Sequence, residues 1–314
     1  MNRRQTIPKH LRYTLDQFRQ QFPNDDACLE TIKEQRYPDG VTFCPDCEQE
    51  RTLYRIAGRP AYSCERGHHF YPLAGTIFEK STTPLHIWFY AIYQMGSTRC
   101  GISAKQIQRE TGVTYKTAWR MFKQIRSLLS EDGVKLDGHT VEMDETYMGG
   151  KRKGIRGRPP AGDGKKTCVV GVVERKGRVL AFAANDATRQ TLHGIATEHI
   201  LPESTVFTDE LVAYDGLDKL NGYTHRRINH SAGVYVVGDA HTNTIEGFWS
   251  LVKRGIGGVY HAVGKPYLQS YLDEYSFRYN RRESGNLIFH AILQRVSELA
   301  FERRAVPVSE NLPA

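Results

Sequence analysis

No stretch of this chain approaches the roughly 20 consecutive apolar residues that a membrane-spanning helix needs. The basic opening MNRRQTIPKHLRYTLDQF also lacks the apolar run of a secretory leader, so a cytoplasmic protein is the expectation. Acid is in deficit. Thirty-five Asp+Glu face 43 Lys+Arg, a formal charge of +8 that favours a polyanionic partner without naming one. Cysteine is too unevenly placed for a disulfide-stapled scaffold: of six, Cys28, Cys100 and Cys168 stand apart, and Cys168 lies in the apolar CVVGVV, where a buried thiol belongs. A second CxxC is missing too. What is present is 39% hydrophobic and 25% charged composition over 314 residues, enough to pack two or more units and unlike a disordered chain.

The first chemistry lies in FCPDCEQERTLYRIAGRPAYSCERGHHF. Cys44 and Cys47 form one knuckle, a short polar and aromatic hairpin follows, and Cys64 then stands before His68 and His69. A segment this small has too little core to hold itself, and four thiolate or imidazole ligands from two knuckles suit tetrahedral zinc. Position 67 is Gly where a second CxxC would place its cysteine, so the fourth ligand is His68, with His69 the alternative. No βαβ pattern surrounds the CxxC, which argues against a redox role.

Helical periodicity begins after this ribbon. In STTPLHIWFYAIYQM, Thr83 can cap, Pro84 suits the first helical position, and Leu85, Trp88, Phe89, Ile92 and Met95 share a face. GISAKQIQRETGVTYKTAWRMFKQIRSLL then predicts two helices around Gly112, with a Ser103/Gln106 capping box and Thr114 capping the second. Ala118, Met121, Phe122, Ile125 and Leu128 line the inner face, leaving Tyr115, Lys116, Thr117, Arg120 and Lys123 outward. This pattern fits a helix-turn-helix that reads double-stranded DNA with its second helix; an ordinary three-helix packing module is the alternative.

SEDGVKLDGHT reads as a linker, and strand patterns follow it. TVEMDETYM, TCVVGVVERKG and RVLAFAAND predict three consecutive strands, TRQTLHGIATEHI a helix, and STVFTDELVAY a fourth strand. That is the element order of an RNase-H-like α/β core. Asp144 would project from the first, central strand, and Asp209 follows the fourth, so both can meet at one sheet rim. Paired carboxylates there suit a hard divalent cation such as Mg²⁺ and two-metal phosphoryl transfer. HTNTIEGFWSLVKRGIGGVYH predicts a helix carrying Asn243, Glu246, Ser250 and Lys253 on one face, with the third metal ligand either Asn243 or Glu246 and Lys253 a contact to substrate DNA.

Taken together, CPDC, AGTIFEKSTTPLHIWFYAIYQM, MDETYMGGK, VFTDELVAY, NHSAGVYV, HTNTIEGFWSLVKRGIGGVYH and YLDEYSFRYNRR resemble bacterial insertion-sequence transposases with an N-terminal zinc ribbon and a DDE/N catalytic domain, akin to Merlin transposases. The resemblance runs from about Pro38 to Arg282. It implies a DNA transposase acting on terminal inverted repeats, with catalytic Mg²⁺ or Mn²⁺ and structural Zn²⁺. Asp144 and Asp209 match the first two catalytic acids, and the third position varies in the family between Asn and Glu. The truncated second knuckle departs from the family pattern.

The expected layout is an N-terminal helical segment (1–37), a zinc ribbon (38–80), a helix-turn-helix module (81–132), an RNase-H-like catalytic domain (133–285) and a C-terminal helix and tail (286–314). Two further basic stretches are candidate DNA contacts: Lys151, Arg152, Lys153, Arg156 and Arg158 in KRKGIRGRPPAGDGKK, and Arg278, Arg281 and Arg282 in YSFRYNRR, together with Arg254. A homo-oligomer on DNA, associated with the nucleoid, is the expected working form. The alternatives are a DNA-binding regulator derived from a transposase and an RNase-H-like nuclease.

Overall fold

The computed structural model describes Pro8 and residues 12–131, 133–137, 140–149, 166–228, 243–284 and 287–305, with side chains through 298. Two compact units emerge: Met1–Leu128 with Ser284–Ala314, and Leu129–Glu283.

The first unit opens with α1 (Leu15–Gln21) and α2 (Asp25–Arg36), each begun by a polar cap; Thr14 and Gln17 form a reciprocal capping box, and Asn24 accepts from the Ala27 N–H. Short strands follow: β1 (Val41–Cys44) pairs antiparallel with β2 (Gln49–Thr52), and β3 (Tyr54–Arg55), β4 (Tyr62–Ser63) and β5 (His69–Phe70) form a three-stranded sheet. Strands of two residues cannot carry themselves, which leaves the cysteine and histidine cluster to organise them.

Next come α3 (Leu85–Ser97), α4 (Ala104–Thr111) and α5 (Tyr115–Arg126). Pro84, with an extended ψ of 141°, occupies the cap position of α3 and no side chain caps it, so the expected Thr83 cap is absent; Thr83 instead donates its N–H to Ser81 Oγ. The Ser103 box is half formed. Ser103 Oγ accepts the Gln106 N–H, but the Gln106 amide turns along the helix to Glu110. Gly112 ends α4 at φ 75°, a left-handed conformation that glycine adopts without strain, and Thr114 caps α5.

The second unit is built on a five-stranded sheet. Its elements are β6 (Thr140–Gly149), β7 (Lys166–Glu174), β8 (Val179–Ala184), α6 (Arg189–His199), β9 (Thr205–Thr208), β10 (Thr224–Arg227), α7 (Asn243–Gly255) and α8 (Leu268–Asn280). The strand order is β10-β9-β6-β7-β8, with β7 antiparallel to both its neighbours, β6 and β8, and β9 and β10 parallel to β6 and to each other. β6 is therefore central.

Period-two alternation sends Cys168, Val170 and Val172 into a core with Leu192 and Ala196 of α6, and Val169 and Val173 into another with Phe248, Val252 and Leu272 of α7 and α8. Burial on both faces explains the near-continuous apolar run of β7, where each fully buried valine contributes about 1.5–3 kcal/mol.

The stretch that reads as a linker is part of this unit. Leu136 is buried, and its N–H donates to His199 O while Leu201 N–H donates to Leu136 O. Glu131 accepts from Asn280 and Arg281.

The final helix, α9 (Ile288–Ala305), belongs to the first unit, where it packs on α2 and α3. Phe289 stacks on Tyr13 and meets Phe18, Phe22 and Phe89 edge-on, and Gly96 of α3 leaves room for the Phe289 backbone N at 3.0 Å from where a Cβ would stand. Among the described residues no helix is long and apolar enough to cross a membrane.

Candidate active site and candidate metal centre

On β6 the side chains alternate between two buried faces, and three acids interrupt the apolar pattern: Glu142, Asp144 and Glu145. Val141 and Met143 join the core shared with α6, so Glu145 lies on their face, whereas Asp144 faces α7. Asp209 follows the last residue of β9, the strand paired parallel to β6. One ligand oxygen from each of Asp144, Glu145 and Asp209 lies within 4.8 Å of the others.

Each of these acids is held. Trp249 donates its indole N–H to Asp144 Oδ2 at 2.9 Å, Leu211 N–H donates to Asp209 Oδ1 at 3.0 Å, and the Tyr214 hydroxyl donates to Glu145 Oε2 at 2.9 Å. Tyr214 stands five residues after Asp209 and Glu145 one after Asp144, so that last bond ties the two aspartate-bearing segments together. Burial, followed by the Glu145 carboxylate, pushes the Tyr214 phenol well above its usual range and keeps it a donor. Asp144 is raised to about 6, chiefly by burial and then by the Asp209 carboxylate, with Glu246 adding a smaller push; the bonds from Trp249 and the Glu145 N–H oppose the shift.

A groove of about 590 Å³ opens here, lined by Asp144, Glu145, Thr146, Glu246, Trp249, Ser250, Lys253 and Arg254. Glu246, Ser250 and Lys253 thus share the groove-facing side of α7 as their spacing predicts. Asn243 does not line it: it is the exposed first residue of the helix. Lys253 and Arg254 are exposed, and Arg254 Nε–H donates to the Ser250 carbonyl.

The approach of α7 depends on a glycine. Gly171 of β7 is the register partner of Asp144, and a Cβ there would lie 2.5 Å from Trp249 Cζ2 and 2.7 Å from Ile245 Cδ1. Gly171→Ala therefore displaces the indole from Asp144. We expect about 1–3 kcal/mol of destabilisation from the overpacking and a changed tryptophan emission, read by denaturant titration followed by fluorescence.

In the first unit Sγ of Cys44, Cys47 and Cys64 lie 3.4, 3.2 and 3.6 Å from Nδ1 of His68, and the Cys47 and Cys64 sulfurs are 4.0 Å apart. Tetrahedral zinc with ordinary Zn–S and Zn–N bonds requires edges of roughly 3.5–3.8 Å, so the donor set fits this metal in chemistry and size. His69 is exposed and faces the Tyr71 hydroxyl at 3.4 Å. Burial opposes ionisation of Cys64, but backbone N–H groups of His68 and Arg66 aimed at its sulfur outweigh it and bring the thiol to about 7. His68→Ala should lose bound zinc while His69→Ala keeps one ion per chain, as native mass spectrometry would read.

Of the candidate DNA contacts, Tyr115, Lys116, Arg120 and Lys123 are exposed on α5 and Thr117 is half-buried beside its cap. Arg120 lies 6.0 Å from the Trp88 ring centre and Lys123 5.7 Å from that of Trp119. Of the YSFRYNRR arginines, Arg278 is 6% exposed and ion-paired with Glu274, so it does not face DNA as expected; helix spacing set it beside a buried acid. Arg281 is half-buried and pairs with Glu131 over the Phe277 ring. Arg282 is exposed and bonds the Gly177 and Tyr279 carbonyls. Lys151, Arg152, Lys153, Arg156 and Arg158 lie outside the described residues, as does NHSAGVYV.

Sequence reading missed Glu145 and Trp249, which line the groove beside Asp144. The signal for Glu145 was there in EMDE, since a strand buried on both faces has no ordinary use for three carboxylates.

The family model described as ISXO2-like transposase domain matches residues 135–280, and that described as transposase zinc-ribbon domain matches residues 23–69. A protein of Halobacterium salinarum, described as an uncharacterized protein in transposable element ISH50, is 30% identical over 275 residues, covering 82% of this chain and 91% of that protein. An uncharacterized transposase-like protein of Haemophilus influenzae is 32% identical over 108 residues, 34% of this chain and 85% of its own. With a zinc ribbon followed by a mixed α/β transposase domain, matched over nearly the whole of the haloarchaeal relative, this chain belongs to the ISXO2-like family of insertion-sequence transposases.

Proposed function

We propose that the chain cleaves DNA at the terminal inverted repeats of its element and joins the freed ends to target DNA, by phosphoryl transfer at Asp144, Asp209 and Glu246. The observation that carries this reading is the convergence of Asp144, Glu145 and Asp209 within 4.8 Å, at a groove that Glu246, Lys253 and Arg254 also line. The strand order, numbered within the unit as 3-2-1-4-5, with two antiparallel pairings followed by two parallel ones, supports an RNase-H-like fold.

The donor set is all carboxylate oxygen and suits Mg²⁺ or Mn²⁺. Such ions, when bound, supply charge to the attacking and leaving oxygens of an in-line displacement. The chain's own residues do the rest. Asp144 and Asp209 hold fixed oxygens at the rim, Trp249 orients the first, and Glu145 stands ready as a further oxygen donor under control of Tyr214. Lys253 and Arg254 bind the DNA phosphates that flank the scissile bond and hold the strand along α7.

DNA recognition falls to the first unit. α4 and α5 form a helix-turn-helix whose exposed residues Tyr115, Lys116, Arg120 and Lys123 enter the major groove, and zinc on Cys44, Cys47, Cys64 and His68 organises the ribbon beside it in sequence. The test is cleavage of duplexes bearing the repeats that flank the gene. With Mg²⁺, nicking at the repeat ends and joining to a second duplex is the expected result. Cutting of unrelated duplexes without joining would favour a nuclease, and binding without any cutting would favour a regulator.

A further inference from the structure

Beneath the groove lies an acid that the chemistry above does not use. Glu142 stands two residues before Asp144 on β6 and is 0% exposed. Among the described residues, its carboxylate accepts at least four hydrogen bonds. Oε2 takes the backbone N–H groups of Thr244 at 3.0 Å and Ile245 at 3.1 Å, while Oε1 takes the Thr244 hydroxyl at 3.0 Å and Arg175 Nε–H at 3.0 Å. The first-turn N–H groups of a helix have no partner within it and carry the positive end of its dipole. Here a buried carboxylate on the neighbouring strand supplies the cap of α7 from outside the helix.

The network reaches a third element. Arg175, bound to Glu142, places its guanidinium carbon 4.3 Å from the centre of the Phe207 ring, and Phe207 of β9 is the register partner of Glu142. Glu142, Phe207 and Thr244 stand two residues before Asp144, Asp209 and Glu246 respectively. One buried ionic cluster thus joins the three segments that carry the carboxylates, a single step below each of them.

We propose that Glu142 is the positioning residue of this active site, fixing the height and rotation of α7 against β6 and β9 and with them the distance of Glu246 from Asp144 and Asp209. A Ser or Asp cap within α7 would satisfy the same N–H groups but would not say where the helix sits on the sheet. A carboxylate on β6 does both. The Trp249 bond to Asp144 supplies a second attachment further along the helix, so α7 is held at two points on the same strand. This inference rests on the functional reading above.

The experiment uses the full chain. Glu142→Gln keeps the shape but turns an amide nitrogen toward a donor on one side or the other. In metal-free buffer its first-turn α7 amides should exchange at least about 10-fold faster, with the circular dichroism spectrum retained. Mn²⁺ binding without DNA, measured by electron paramagnetic resonance, should weaken about 10-fold, and cleavage at saturating Mn²⁺ should fall about 10- to 100-fold with repeat binding unchanged. If Glu142→Gln does not fold, Thr244→Val removes only the hydroxyl donor and should shift Mn²⁺ affinity in the same direction by a smaller factor. Mn²⁺ affinity and cleavage within twofold of wild type in a folded variant would overturn the proposal while leaving the functional reading intact, provided Asp144→Asn is inactive. Wild-type protein that binds no Mn²⁺ would overturn both.

Discussion

Asp144→Asn is expected to melt higher than the wild-type chain in metal-free buffer at pH 8 and to cleave DNA about 10³-fold or more slowly. The two effects share one cause. In the metal-free protein the Asp144 carboxyl is raised from 3.8 to about 6, by burial first and by the Asp209 carboxylate second. Below pH 4 both folded and unfolded chains carry the proton, and Asp144 contributes nothing. Between pH 4 and 6 the unfolded chain ionises while the folded chain still holds its proton, so stability falls as pH rises. Above about 6 the deficit is complete, on the order of 1–3 kcal/mol once partial exposure of this half-buried group is allowed for.

Asparagine removes the charge at nearly constant shape and should therefore recover that deficit, about 3–10 °C in the melting of the second unit. A divalent cation relieves the same repulsion, so Mg²⁺ should raise the wild-type melting point and leave the variant's nearly unchanged. If Asp144 holds the catalytic metal as proposed, catalysis runs the other way, because losing that ligand oxygen removes several kcal/mol of transition-state charge stabilisation. Melting curves at pH 4 and pH 8, with and without Mg²⁺, check the first half and oligonucleotide cleavage the second. A variant that melts no higher at pH 8 and still cuts at the wild-type rate would leave the acid at 144 without catalytic meaning.

The parts of this site that were legible in the sequence are those where composition contradicts local structure. An acid in the middle of a doubly buried strand, as at Asp144, has to be explained, and Asp209 at the end of a short apolar run makes the same demand. The amphipathic face of α7 placed Glu246, Ser250 and Lys253 together by spacing alone. Tertiary partners were not legible. Glu131 and Leu136 lie in a polar, glycine-containing stretch, yet one accepts bonds from α8 and its end, and the other joins the core beside Ile200. β10, with the sequence THRR, has no apolar alternation because it is an edge strand with three exposed residues, and only its parallel pairing to β9 reveals it. Arg278 looked like a DNA contact because the acid that neutralises it, Glu274, is itself hidden in the helix core.

The third ligand is where local spacing left two answers, and the variants Glu246→Gln and Asn243→Ala should separate them widely. Glu246 lines the groove and adds to the repulsion that raises Asp144; Asn243 is exposed at the start of α7 and outside the groove lining. Glu246→Gln should therefore reduce cleavage and joining by about 10³-fold, comparable to Asp144→Asn, while Asn243→Ala should cost less than about 10-fold through fraying of the helix start. Replacing Mg²⁺ by Mn²⁺ should restore part of the loss in Glu246→Gln, since Mg²⁺ demands near-ideal octahedral geometry and a site short of one carboxylate no longer provides it. Repeat-end binding should stay within twofold for both variants, because the lost step is chemical. The reverse ranking, with Asn243→Ala inactive and Glu246→Gln near wild type, would move the ligand one turn toward the helix start and would require α7 to shift along β6 when DNA is bound.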